Sequence, residues 1–324
     1  MTSKYEFKKI FELIFKEYLI LGAIAILVLV TSIVQPAFLS VGNLSNVIRQ
    51  FGPLIMVALG MTFVIIGGFI DLSVAGIISL VAVATVYLID IVGQGPALII
   101  GIGIGIACGI LNSALLLTSG ALTQAEALFI TYGMSLVYGA LALIISGGST
   151  QHIFWSENNT SLFELIGSGS VGFFSISFIL FLICLLILYL LQNYTYAGRV
   201  MRLTGGNKTA AELCGVNINR SIIFIYAISG LMSAIGSIVL ISRVTTASPV
   251  IGMGYETNAI LAVVVGGTTL AGGKGSVMRT VLGTMLVILL SNCMNLLGVS
   301  VYLQYVLKGA ILVIAIWMDN RKQS

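Results

Sequence analysis

Ten apolar stretches follow one another along the chain, each bounded by polar, charged, proline or glycine positions. They run over 18–34, 51–66, 73–92, 96–117, 124–146, 171–191, 221–241, 258–271, 277–296 and 301–318. A helix needs roughly 20 mainly apolar residues to cross a bilayer. The pattern therefore predicts an all-α integral membrane protein of about ten transmembrane segments, forming a single domain over 1–324. Two places break the ladder. The stretch 258–271 has only 14 residues before a Gly-rich turn, about 21 Å of helix against a hydrocarbon core near 30 Å. The pair Gly67-Gly68 interrupts the boundary between the second and third stretches. These places share a pattern, VIIGGFIDLS (64–73) and VVVGGTTLAG (263–272). Paired, glycine-interrupted segments in the two halves are the mark of internal repeats around a transport pathway, so a 5+5 repeat is expected.

Composition sharpens this. The 324 residues are 58% hydrophobic and 8% charged, where soluble domains carry about 25% charged residues. With an even number of crossings and the N-terminus inside, twelve Lys and Arg residues fall on the inner side and only Arg49 and Arg243 on the outer. By the positive-inside rule both termini are cytoplasmic, with a charged leader over 1–17 and a long inner loop over 193–220. The net charge of +4 marks inner loops and does not point to nucleic acid. Cys108, Cys184, Cys214 and Cys293 lie far apart with no CxxC spacing, so neither a disulfide framework nor a metal site is expected.

Asp71 is the sole charge in the apolar tract from Phe51 to Ile89. A carboxylate at mid-membrane costs about 2.5–3.5 kcal/mol on insertion scales. Following Gly67-Gly68 and preceding a fresh apolar run, Asp71 or Ser73 is placed to cap the first amides of the third span. Irregular backbone at depth is tolerated only within protein or beside a water-filled cavity. Asp71 is therefore also a candidate for supporting a broken segment beside the pathway. Asn112, Ser291, Asn292 and Asn295 are polar residues inside spans, which serve either as lining groups or as helix–helix hydrogen bonds. Glu126 sits near a membrane boundary, in the headgroup zone or on the pathway.

No catalytic constellation is evident. His152, the only histidine, lies in an outer loop beside Trp155. GGTTLAGGKGS lacks both the first glycine and the final hydroxyl of a phosphate-binding loop, so any ATP chemistry must come from a partner. The loop 193–220 carries the most local information. Gly205-Gly206 suits a turn, Asn207 a helix N-cap and Gly215 a helix end. Between them, Ala210, Ala211, Leu213 and Cys214 offer a small apolar face. That helix either docks in a partner's groove or lies on lipid headgroups. The former is favoured because surface helices usually carry bulkier apolar groups.

Four blocks, GMTFVIIGGFIDLSV (60–74), RLTGGNKTAAELCGVNINR (202–220), GYETNAILAVVVGGTTLAGGKGS (254–276) and NLLGVSVYLQYVLKGAILVIAIWMDN (295–320), occur in an order that resembles the membrane subunit of bacterial ribose-type ABC importers. That permease family also serves other monosaccharides and autoinducer-2. The resemblance covers nearly the whole chain from about residue 38. It implies a bacterial inner-membrane permease with a second permease chain, ABC ATPase subunits that bind ATP and magnesium, and a periplasmic sugar-binding protein. No cofactor is expected in this chain. The resemblance implies that 205–215 is the coupling helix for the ATPase, and it adds Glu256 and Asn258 as candidate pathway residues. Three positions depart from the family. GYETN has Asn258 where the family has an acid, ALTQAEALFITYG replaces a Pro-Phe-Ile-x-Thr-Leu-Gly run, and Tyr138-Gly139 stands for Arg-Gly. These departures leave the substrate open among a ribose-like sugar, autoinducer-2 and a nucleoside. An ion-coupled transporter or channel is the rival class, and it would want a relay of buried ionisable residues.

Overall fold

The structure is a computed structural model that describes residues 21–172 and 174–321. The expected leader over 1–17 lies outside those residues. In chain order the helices are α1 (Leu21–Val34), α2 (Val41–Ile66), α3 (Val74–Val92), α4 (Gln94–Ser119), α5 (Gln124–Ser146), α6 (Ser161–Ser168), α7 (Ile176–Tyr194), α8 (Tyr196–Gly206), α9 (Lys208–Leu213), α10 (Ile218–Val244), α11 (Tyr255–Val265), α12 (Val277–Leu296) and α13 (Val301–Arg321). Among the described residues, seven of these are long and apolar enough to cross a membrane: α2, α3, α4, α5, α7, α10 and α12. Shorter apolar helices lie at Leu21–Val34, Tyr255–Val265 and Val301–Trp317. Among the described residues, strand is confined to two short antiparallel pairs, β1 (Gln151–His152) with β4 (Thr246–Ala247) and β2 (Ser170–Val171) with β3 (Phe174–Ser175).

The helices divide into an inner and an outer group. Every residue of α2 from Phe51 to Ile66 is buried, as is most of α3 and α10. A helix that is apolar all round belongs inside, and α2 is surrounded by α10, α12, α11 and α7. By contrast α4, α5 and α7 leave most of their surface exposed. Their outward residues, such as Phe129, Leu136 and Ile144, are apolar and suit a lipid environment. The most extensive helix pairing is α4 on α10. It uses a four-residue glycine spacing on α4: a methyl group added at Gly105 would lie 2.6 Å from the Gly230 carbonyl oxygen, and one at Gly109 would lie 2.1 Å from that of Tyr226. Small residues spaced by four let two backbones approach this closely.

Helix ends coincide with the expected stretches where the chain is well punctuated. α5 starts in a capping box, with Thr123 Oγ1 accepting from the Glu126 amide while Glu126 Oε2 accepts from the Thr123 amide at 2.9 Å. This gives Glu126 a local structural role at the helix start. α2 starts ten residues before the apolar stretch does. Its first turns, VGNLSNVIRQ, mix apolar residues with Asn43, Ser45, Asn46, Arg49 and Gln50. They are held by Ser40, whose hydroxyl accepts from the Asn43 amide at 3.2 Å, and by a reciprocal Asn43–Asn292 amide pair at 2.8 and 3.0 Å. Arg49 and Arg243 accordingly lie within α2 and the last turn of α10, not in loops.

Candidate functional site

α2 and α11 both stop at a Gly-Gly pair, and they stop in the same way. At the first pair, the Gly67, Gly68 and Phe69 amides donate to the carbonyls of Phe63, Ile65 and Val64 at 3.0, 3.0 and 3.1 Å. At the second, the Gly266, Gly267 and Thr268 amides donate to Ala262, Val264 and Val263 at 2.9, 2.8 and 3.2 Å. The residue offsets are identical. In each pair the second glycine takes a left-handed conformation, φ 82° at Gly68 and 85° at Gly267, which a side chain disfavours. The expected half-length helix is shorter than its apolar stretch: α11 has 11 residues, about 16 Å of rise.

The non-helical run after the first pair carries the charge. Asp71 is fully buried. Its Oδ1 accepts from the Ser73 amide at 3.0 Å and the Ser73 hydroxyl at 2.6 Å, and its Oδ2 accepts from the Ser229 hydroxyl of α10 at 2.7 Å. Asn112 of α4 donates to Ser73 Oγ at 2.7 Å. The Tyr138 hydroxyl of α5 lies 2.9 Å from Asn112 Oδ1 and 3.0 Å from the Cys108 carbonyl. The start of α3 is thus bolted to α4, α5 and α10 through one connected polar cluster. The expected capping of the first amides of α3 is corrected: neither Asp71 nor Ser73 bonds an amide of Val74–Gly76, and Asp71 instead holds Ser73, the residue that precedes the helix, by its amide and its hydroxyl. The rest of the run is tied as well. Thr131 Oγ1 accepts from the Leu72 amide at 3.0 Å, and the Tyr226 hydroxyl donates to the Ile70 carbonyl at 3.3 Å.

The two breaks meet. The Gly273 amide, in the loop after α11, donates to the Ile66 carbonyl at the end of α2 at 2.8 Å. Gly205 lies wedged between them: a methyl group there would fall 1.8 Å from Ile66 O, 2.8 Å from Gly273 N and 2.9 Å from Gly67 C. The expectation that Gly205-Gly206 forms a glycine-only turn is therefore corrected. Both residues close α8, and neither is among the left-handed glycines. Gly205 is needed for close backbone approach, not for backbone freedom. Gln192 of α7 braces the far side of the junction, donating to the Gly275 carbonyl at 3.0 Å and accepting from the Val277 amide at 3.1 Å.

α9 hangs from this junction. Asn207 Oδ1 accepts from the Ala210 amide at 3.0 Å, and Gly215, at φ 78°, ends the helix. Ala211 is buried against the protein, while Ala210, Cys214 and Leu213 face outward, Leu213 at 85% exposure. The small apolar face thus divides, with Ala211 packed inward and the other three free.

The remaining candidates do not share hydrogen bonds with the Asp71 cluster. Asn292 pairs with Asn43, Asn295 accepts from Gln304 at 2.8 Å, and Ser291 donates to the Val287 carbonyl. Asn258 donates to the Gly254 carbonyl at 2.7 Å, while Glu256 is half-buried in the first turn of α11 and its Oε2 is buried without a partner. His152 pairs with Thr246 in the β1–β4 strands, its ring 4.1 Å from that of Trp155. Sequence reasoning singled out Asp71, Ser73 and Asn112 as site residues but not Ser229 or Gln192, and it noted Tyr138 only as a departure from the family. Ser229 belongs to a four-residue stripe with Ser233 and Ser237 on α10, a spacing that marks a close helix contact. The signal at Tyr138 was its place where the family has Arg, which gave it no role.

Broken apolar helices around a buried polar cluster, with a loop helix hung from their junction, define a multi-pass membrane transport subunit. The family model described as branched-chain amino acid transport system / permease component matches residues 43–316, and the chain belongs to this permease family of ABC transporters. It is similar to the ribose import permease protein RbsC of Escherichia coli (strain K12), 33% identical over 307 residues that cover 93% of this chain and 92% of that protein. RbsC of Bacillus subtilis (strain 168) is 36% identical, with 92% and 91% covered. The L-arabinose transport system permease protein AraH of Escherichia coli (strain K12) is 35% identical, with 99% and 94% covered. No solved structure matches. The protein is a multi-pass protein of the inner membrane.

Proposed function

We propose that this chain is the membrane-spanning half of an ATP-driven importer for a ribose-like monosaccharide. The family description names branched-chain amino acids, but relatives similar over more than nine-tenths of the chain carry ribose and arabinose in their names. That similarity favours a pentose. A partner ABC ATPase would bind ATP and magnesium, a second permease chain would complete the pathway, and a periplasmic binding protein would deliver the sugar. The Lys and Arg bias orients the 193–220 loop toward the cytoplasm.

The observation that carries this reading is α9. It exposes Ala210, Leu213 and Cys214, and it is attached through Gly205 to both helix breaks at once. A partner pressing on α9 would therefore act on the two elements whose helices are interrupted. Cys214 provides the test, because the other three cysteines are buried. In inside-out membrane vesicles, a membrane-impermeant maleimide should modify Cys214 in the permease alone, and the co-expressed ATPase should slow that reaction severalfold. Equal rates in a complex that copurifies would contradict docking on α9.

A further inference from the structure

The cations around the 193–220 loop divide by direction. Arg199, Arg220 and Lys274 are exposed, and half-buried Arg202 donates to the side chain of Asn193 at 3.0 Å, whereas Lys208, the first residue of α9, reaches into the broken run after α2. Its ammonium donates to the Leu122 carbonyl just before α5 and stands 3.9 Å above the centroid of the Phe69 ring. Phe69 belongs to the broken run after α2, is fully buried, and packs against Tyr226 with ring centroids 6.1 Å apart. Tyr226 in turn donates to the carbonyl of Ile70, the residue before Asp71. Burial pulls the Lys208 pKa below the ordinary lysine value, with the charge of Glu126 pulling the other way. A lysine serving solubility alone would extend its ammonium into water, as exposed Lys274 does.

We propose that Lys208 is a positioning residue: it ties the partner-docking helix α9 to Phe69 and so carries displacement of α9 to the start of α3. This rests on the docking role given to α9 above. A desolvated ammonium over an aromatic face holds the ring by electrostatic attraction. The simultaneous bond to Leu122 fixes where the ammonium stands. A shift of α9 must therefore drag Phe69, Tyr226 and the 67–73 run, or break both contacts.

The test uses the permease reconstituted with its ATPase and binding protein, and it reads sugar accumulated per ATP hydrolysed. The wild-type complex must first accumulate sugar with ATP, since its failure would count against the importer reading and not against Lys208. In K208M the ratio should fall about tenfold, the scale on which single residues in a coupling network act. ATPase protection of Cys214 should persist, and K208R, which keeps both donor and cation, should restore most of the ratio. F69L should lower the ratio comparably, and the double variant K208M/F69L should be no worse than either single change. A wild-type ratio in K208M overturns the proposal, as does loss of Cys214 protection in step with the ratio, or strict additivity in the double variant. Should K208M not assemble, F69L with intact Lys208 decides alone: an unchanged ratio overturns the tie.

Discussion

Asp71 has no carboxyl oxygen left without a protein donor: Ser73 supplies two bonds and Ser229 one. The residue is better described as a pin that holds an irregular run at depth than as a group waiting for substrate. Ser229→Ala would leave Oδ2 without that donor, and such orphaned buried groups cost about 1–3 kcal/mol. The variant should lower the thermal unfolding midpoint in detergent more than Ser237→Ala, because Ser237 donates only to the Ile78 carbonyl. Equal midpoints would remove Ser229 from the account. Asp71→Ala should reduce transport by more than it reduces the yield of assembled complex, and equal losses would leave the residue only its structural bonds to Ser73 and Ser229. The sequence reading found Asp71, Ser73 and Asn112 because each is a polar residue in an otherwise apolar run. Tyr138 was noted as a departure from the family but given no role, because a buried hydroxyl at the tip of an aromatic ring reads like any other core tyrosine.

Among the elements, the shared end of α2 and α11 explains why VIIGG and VVVGG carry related patterns: both spell a helix, a left-handed glycine and a turn back. The same glycine chemistry misled where two backbones meet. Gly205 and Gly206 stand side by side in sequence and both lie beside Gly273, yet only at Gly205 would an added methyl clash, the nearest atom to a methyl on Gly206 being 4.0 Å away. Gly205→Ala should therefore abolish uptake and reduce assembly of the permease with its ATPase, while Gly206→Ala should stay near wild type in both assays. Reversal of that order would contradict the junction. The boundaries of α5 and α12 were legible because residues that start or break helices frame them. The first ten residues of α2 were not, since their polar side chains are satisfied by α12 and by local caps that hydropathy does not register.

At the scale of the whole molecule, the apolar pattern identifies a membrane protein readily. It says little about which helix is central. A lipid-facing leucine on α7 and a protein-facing leucine on α2 are equally apolar, because lipid supplies no hydrophobic contrast. The central position of α2 emerges only when α10, α11, α12 and α7 are seen around it. That arrangement places both breaks, the Asp71 cluster and α9 in one connected body, and it motivates the claim that this chain is a gate moved by an external motor. The most direct measurement is accumulation of labelled ribose in vesicles holding the permease, its partner ATPase and its binding protein. Accumulation should require hydrolysable ATP and should survive a protonophore. Concentrative uptake by the permease alone, driven by an ion gradient, would contradict the account.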